Sequence, residues 1–219
     1  MRLRESLYIV MSDVERYLGD EPGRLAALRR ALAEAPQSPV ALYLLGSVLL
    51  AKGNISEAVK VLTEGVRLHS EHPRMAVSCA IAMFRNGAKV EECVAVLNLA
   101  RNVGASDPYF ISVFAGMLVL EGHLSEADAV WTKARQRSFA PAERDRVYFA
   151  PTEPDSAGWI AGRIAHVSPS FAFVKVAGYP DVYCGSKQVG YLALARDQRV
   201  EVRVGFSARG PQALELRIV

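Results

Sequence analysis

Cysteine is scarce: the 219 residues hold three, Cys79, Cys93 and Cys184. An odd number so widely spaced makes neither a disulfide framework nor a CxxC zinc site, and the three read as reduced packing residues. Long apolar runs are missing too. None approaches the roughly 20 residues that a helix needs to cross a bilayer. "LYIVM", behind two N-terminal arginines, is too short for a signal peptide, so the expected location is the cytoplasm. Histidine is sparse, at His69, His72, His123 and His166, with no acid or nucleophile in a familiar motif beside any of them. His69 and His72 have the spacing of one helical turn, which a metal could use, but they fall at a ragged repeat end beside Pro73 and read as surface residues. There is no phosphate loop and no HExxH, and Ser186 has no histidine close in sequence. The expectation is a non-enzymatic protein without metal or cofactor.

Charge is small and uneven. Residues 1–154 carry 18 basic against 18 acidic side chains, and residues 155–219 carry 8 against 5, so the net charge of +3 lies in the last third. A charge of that size is ordinary for a domain and does not by itself point to nucleic acid. Hydrophobic residues make up 51% of the chain, enough for one large packed domain or two small ones.

What the sequence does have is a repeat. Gly19, Gly53, Gly87 and Gly122 are 34, 34 and 35 residues apart, the period of a helical-hairpin solenoid. At matching offsets lie Leu28, Leu62, Leu97 and Trp131, followed by the small residues Ala31, Gly65, Ala100 and Ala134. Such pairs let antiparallel helices approach, large side chain against small. Pro39, Pro73 and Pro108 each stand fourteen residues ahead of a repeat glycine, where proline can open a helix without losing a hydrogen bond.

The copy "ALYLLGSVLLAKGNISEAVKVLTEGV", with Leu45-Gly46, Gly53 and Ala58, resembles the tetratricopeptide repeat, and the resemblance extends over about 135 residues. Arg24 in a small position makes the first copy an irregular one. The resemblance implies a concave groove for a protein partner, lined by Tyr43, Ser47, Leu50, Val77, Ile81, Phe84, Tyr109 and Gly116. This lining is apolar and small, without the lysines and asparagines that clamp a carboxylate in the chaperone-tail binders of that family. It suits a partner helix or extended segment, or equally this chain's own C-terminal part or a second copy.

Beyond Ala134 the pattern changes. "SFAPAERDRVYFAPTEPD" holds three prolines within fourteen residues and ends the helical period. The runs "GRIAHV", "FAFVKV", "DVYCG", "QRVEVRV" and "ALELRIV" then predict five short strands and a small closed barrel. "LARDQRVEVRVGFSARGPQALEL", "FAFV" and "DVY" resemble the cold-shock domain, an OB-fold, over residues 158–219. Alternation alone would send Phe171 and Phe173 to the core; the resemblance puts Ala172 and Val174 inside and turns the rings outward as base-stacking platforms. By the same resemblance Tyr183 and His166 join them, His166 in place of the family's tryptophan, while Lys175 and Arg209 would contact phosphates. Pro169-Ser170 and Gly185-Ser186 depart from the family's Lys-Gly and His-Phe, which implies weak binding.

The expected organisation is α then β: a tetratricopeptide-like solenoid of about four repeats in residues 1–141, a capping or linker segment in 142–157, and a five-stranded OB barrel in 158–219. Val147, Tyr148, Phe149 and Trp159 mark that segment as a packed joint covering the end near Trp131 rather than a free tether. The expected function is an adaptor that binds single-stranded RNA or DNA through the barrel and a protein through the array, with no membrane partner. The alternative is a purely protein-interaction module with a degenerate barrel, the sensing or recruiting end of a larger assembly.

Overall fold

The computed structural model describes residues 2–151, 158–190 and 192–219. Its contacts divide the chain into two units, Met1–Gly104 and Ala105–Val219.

The first unit is helical. It runs through α1 (Arg2–Leu18), α2 (Glu21–Glu34), α3 (Pro39–Ala51), α4 (Ile55–Leu68), α5 (Pro73–Arg85), α6 (Val90–Leu99) and the short α7 (Arg101–Gly104). Successive helices pack as hairpins, α1 on α2, α3 on α4 and α5 on α6. The repeat glycines are the hinges: Gly19, Gly53 and Gly87 have φ of 77°, 77° and 85°, a left-handed conformation that glycine adopts without steric cost. Pro39 and Pro73 open their helices as expected, and Ser38 caps α3 by accepting the Ala41 N–H at 3.2 Å. Leu28, Leu62 and Leu97 are fully buried, and Leu62 lies against Gly46 where a Cβ would not fit. The core gathers Leu28, Leu42, Leu45, Leu49, Leu62, Met75 and Cys79.

The second unit begins with one more hairpin, α8 (Pro108–Glu121) and α9 (Leu124–Arg135), turned at Gly122 with φ of 88°. After the short α10 (Pro141–Arg144) come β1 (Ile160–Ser168), β2 (Phe171–Val176), β3 (Val182–Cys184), the one-turn α11 (Ser186–Val189), β4 (Arg199–Ser207) and β5 (Gly210–Ile218). The five strands lie where the apolar runs predict them. They close into a barrel in the order β1-β2-β3-β5-β4. Ala172, Val174, Val182, Cys184, Val200 and Val202 fill it, alternate positions along their strands.

Within this unit the helical hairpin and the barrel share a core. Helix α8 packs on β4, and β4 is buried continuously from Val202 to Ser207. The Phe206 ring stacks with Trp131 at 6.3 Å, Phe149 at 5.9 Å and Tyr179 at 6.2 Å. Tyr148 and Phe149 pair with β4 like a further strand: Tyr148 donates to the Phe206 carbonyl at 3.0 Å, and Phe206 donates to that of Phe149 at 2.7 Å. The segment expected as a packed joint is therefore packed at residues 147–149; its residues 152–157 lie outside the described ones. Trp159 meets Arg217, whose guanidinium lies 4.2 Å over the ring. The contact division falls at Gly104, whereas the composition changes near residue 141, because the last hairpin spends its apolar surface on the barrel.

Candidate functional site

The outer face of β1–β3 carries a cluster of rings. In β2, Ala172 and Val174 point into the barrel, so Phe171 and Phe173 point out; in β3 the same alternation buries Val182 and Cys184 and exposes Tyr183. Phe173 is registered directly opposite Tyr183. The ring centroids are 5.7 Å apart for Phe173 and Tyr183, 6.2 Å for Phe171 and Tyr183, and 5.8 Å for Phe171 and Phe173. The two phenylalanines are half-buried against these neighbours and Tyr183 is exposed.

His166 reaches the same face through a β-bulge. Strict alternation would point it inward with Ile164, which is fully buried, but the β1–β2 register slips between Ile164 and His166. The extra residue re-aims the imidazole outward. It lies opposite Phe173 and 5.6 Å from the Phe171 ring. Lys175 continues the outward row of β2 and is exposed. Sequence reasoning missed its neighbours: Arg163 in β1 is registered opposite Lys175, and Arg199 in β4 opposite Arg163. Counting outward positions across the predicted strands would have found them, had the strand order been known.

Arg209, the other expected phosphate contact, is exposed and paired with an acid. Its Nη1 lies 3.3 Å from Asp145 Oδ1, and Gln212 donates through Nε2 to the Asp145 carbonyl at 3.3 Å and to Ser207 Oγ at 2.8 Å. Hydrogen bonds from Arg144, and then the charges of Arg144 and Arg209, hold the Asp145 carboxyl below its usual range despite partial burial. The "RGPQA" stretch thus fastens the segment after α10 to the β4–β5 turn.

The residues expected to line the partner groove differ in accessibility. Tyr43, Ser47, Leu50 and Phe84 are half-buried, and the Tyr43 ring lies 5.8 Å from that of His72. Val77 and Ile81 are buried. In the second unit Tyr109 lies 5.4 Å from Tyr148, and a Cβ on Gly116 would come within 2.7 Å of Phe149 and 2.8 Å of Phe206. There the positions of α8 expected to line a groove are covered by the chain's own aromatic residues. His72 serves as the α5 cap, accepting the Met75 N–H at Nδ1, and His69 Nε2 lies 2.7 Å from the Gln37 carbonyl oxygen. Among the described residues no group of three or more His, Cys, Asp or Glu could hold a metal ion, and no helix is long and apolar enough to cross a membrane.

A further surface went unread in the sequence. Leu3, Leu7, Val10, Val14 and Tyr17, spaced by four and three residues along α1, form an exposed apolar stripe, with Leu3 88% and Tyr17 91% accessible. The 3–4 spacing in "RLRESLYIVMSDVERYL" was the available signal.

Comparison with known proteins bears on the helical part. Residues 25–80 match a tetratricopeptide repeat family model. No curated protein matches the chain by sequence. Among solved structures, MamA is similar with 19% identity and a TM-score of 0.52, covering 61% of this chain and 72% of that one. Pseudomonas aeruginosa pilF has 16% identity and a TM-score of 0.55, with 63% of each chain covered. YrrB, described as a TPR protein with an unusual peptide-binding site, has 20% identity and a TM-score of 0.50, covering 57% of this chain and 64% of that one. At these identities the likeness is one of fold. The chain is thus a tetratricopeptide-like helical repeat array, matched to that family's model over residues 25–80, followed by a closed five-stranded barrel.

Proposed function

We propose that the barrel is an OB-type, cold-shock-like domain that binds single-stranded RNA or DNA on its β1–β3 face, and that the array holds a protein partner. The whole is a non-enzymatic adaptor of the cytoplasm. The observation that carries this is the cluster of His166, Phe171, Phe173 and Tyr183 on one outward face. The barrel is already filled by Ala172, Val174, Val182 and Cys184, so the rings gather on its outer surface, where Tyr183 is exposed and both phenylalanines are half-buried. A base stacked on a ring gains about 1–3 kcal/mol with little sequence preference, and exposed cations beside the rings suit the backbone. The strand order supports the assignment, since a five-stranded barrel of OB type binds oligonucleotides on the face of its second and third strands.

For the array, YrrB's peptide-binding site supports a peptide or helix as the ligand class. Tyr43, Ser47, Leu50 and Phe84 are the residues of the first unit best placed to meet it.

Fluorescence anisotropy with labelled pyrimidine and purine decanucleotides at low salt tests the barrel's role. Wild type should bind with micromolar affinity, about −8 kcal/mol. Phe171→Ala with Phe173→Ala should weaken binding at least tenfold. If wild type binds no oligonucleotide, the chain is a protein-interaction module only.

A further inference from the structure

We propose that a row of three cations, Lys175, Arg163 and Arg199, forms a phosphate subsite beside the rings, guiding the same single strand across β2, β1 and β4. It rests on the nucleic-acid role of the ring face and extends that face from Lys175 to Arg163 and Arg199. Lys175 is registered opposite Arg163, and Arg163 opposite Arg199, so the three side chains stand on one outer face of adjacent strands. With strands roughly 4.8 Å apart, the row runs about 10 Å across the sheet. All three are exposed, and among the described residues none forms an ion pair with a carboxylate.

Like charges directly opposite one another destabilise a sheet. Among the described residues, only Arg163 of the three offsets part of that cost, by donating to a backbone carbonyl. The two acids that line the same cleft form no ion pair with the row among the described residues: Glu201 is bound to Arg217, Nε to Oε2 at 2.6 Å, and Asp197 meets Arg163 through its backbone carbonyl at 3.2 Å. The row borders an open cleft of about 610 Å³ that also takes in Arg196. Lys175 is two residues from Phe173 along the outward side of β2, so the cations begin where the rings end. A polyanion with a flat base every few ångströms fits both: bases on the rings, phosphates on the row. An acidic protein segment would satisfy the cations and leave the rings without a role.

The test compares three forms of the full chain with a thymidine decanucleotide across a salt series: wild type, a row variant (Arg163→Gln, Lys175→Gln, Arg199→Gln) and a ring variant (Phe171→Ala, Phe173→Ala). Each neutralised phosphate on a single strand contributes about 0.7 to the slope of log affinity against log salt. The row variant should therefore lose about 2 from that slope, binding more weakly at low salt and converging on wild type as salt rises. The ring variant should lose affinity at every salt with its slope unchanged. Thermal melting of the row variant should show a midpoint no lower than wild type, because repulsion has been relieved. An unchanged slope in the row variant overturns the subsite and leaves the ring face standing. A ring variant that binds like wild type, beside a row variant that does not, overturns the ring face and leaves the row. No binding by wild type overturns both. Polyglutamate competing as well as the oligonucleotide overturns the assignment of the row to phosphates.

Discussion

The indole N–H of Trp131 in α9 donates to the backbone carbonyl of Ser207 at the end of β4, at 3.1 Å. A helix of repeat type and a barrel strand thereby share a buried hydrogen bond, with the Phe206 ring stacked on the same indole. Trp131→Phe leaves the Ser207 carbonyl without its donor and removes part of the ring. A cost of about 2–4 kcal/mol follows from the unsatisfied acceptor together with the space left behind. Urea denaturation followed by helical circular dichroism should show the midpoint drop; an unchanged midpoint would contradict the shared core.

Gly116 makes the same joint visible from the other side. A methyl group there would press within 3 Å of both Phe149 and Phe206, in a buried stretch of α8. Gly116→Ala normally favours a helix by about 1 kcal/mol. Here overpacking of about 1–3 kcal/mol outweighs it, and the variant should melt below wild type. A higher melting temperature would mean that the aromatic residues do not cover α8.

The cysteines give a chemical test of the cores. Burial pushes the Cys184 thiol up to about 12 and Cys93 up to about 11, and raises Cys79 as well. At pH 8 the native protein should not react with a disulfide reagent, whereas in denaturant all three thiols should titrate. A group whose folded pKa is raised contributes its full stability below the unfolded value near 9 and loses it as pH rises through the folded value. The fold should accordingly weaken above pH 9. Rapid labelling of a native thiol at pH 8 would contradict this burial.

Much of the architecture is legible in the sequence because it rests on local chemistry. Glycines at a 34-residue period mark left-handed turns, prolines mark helix starts, and five apolar runs mark five strands. What escaped depends on register and on distant neighbours. His166 faces outward only because a bulge interrupts β1, which no period-two pattern reveals. Arg163 and Arg199 become neighbours of Lys175 only once β1 is known to lie between β2 and β4. Arg209 looks free in the sequence, yet Asp145, 64 positions away, binds it. Tyr109 and Gly116 have the periodicity of a groove, but the aromatic residues that meet them follow about 30 to 90 positions later.

The most direct test of the ring face is a nuclear magnetic resonance titration of the full chain with a single-stranded hexanucleotide. Shifts should concentrate on His166, Phe171, Phe173, Lys175 and Tyr183, with the interior neighbours Ala172 and Val174 moving less. Shifts confined to the helical repeats, or none at saturating oligonucleotide, would contradict the role of the ring face.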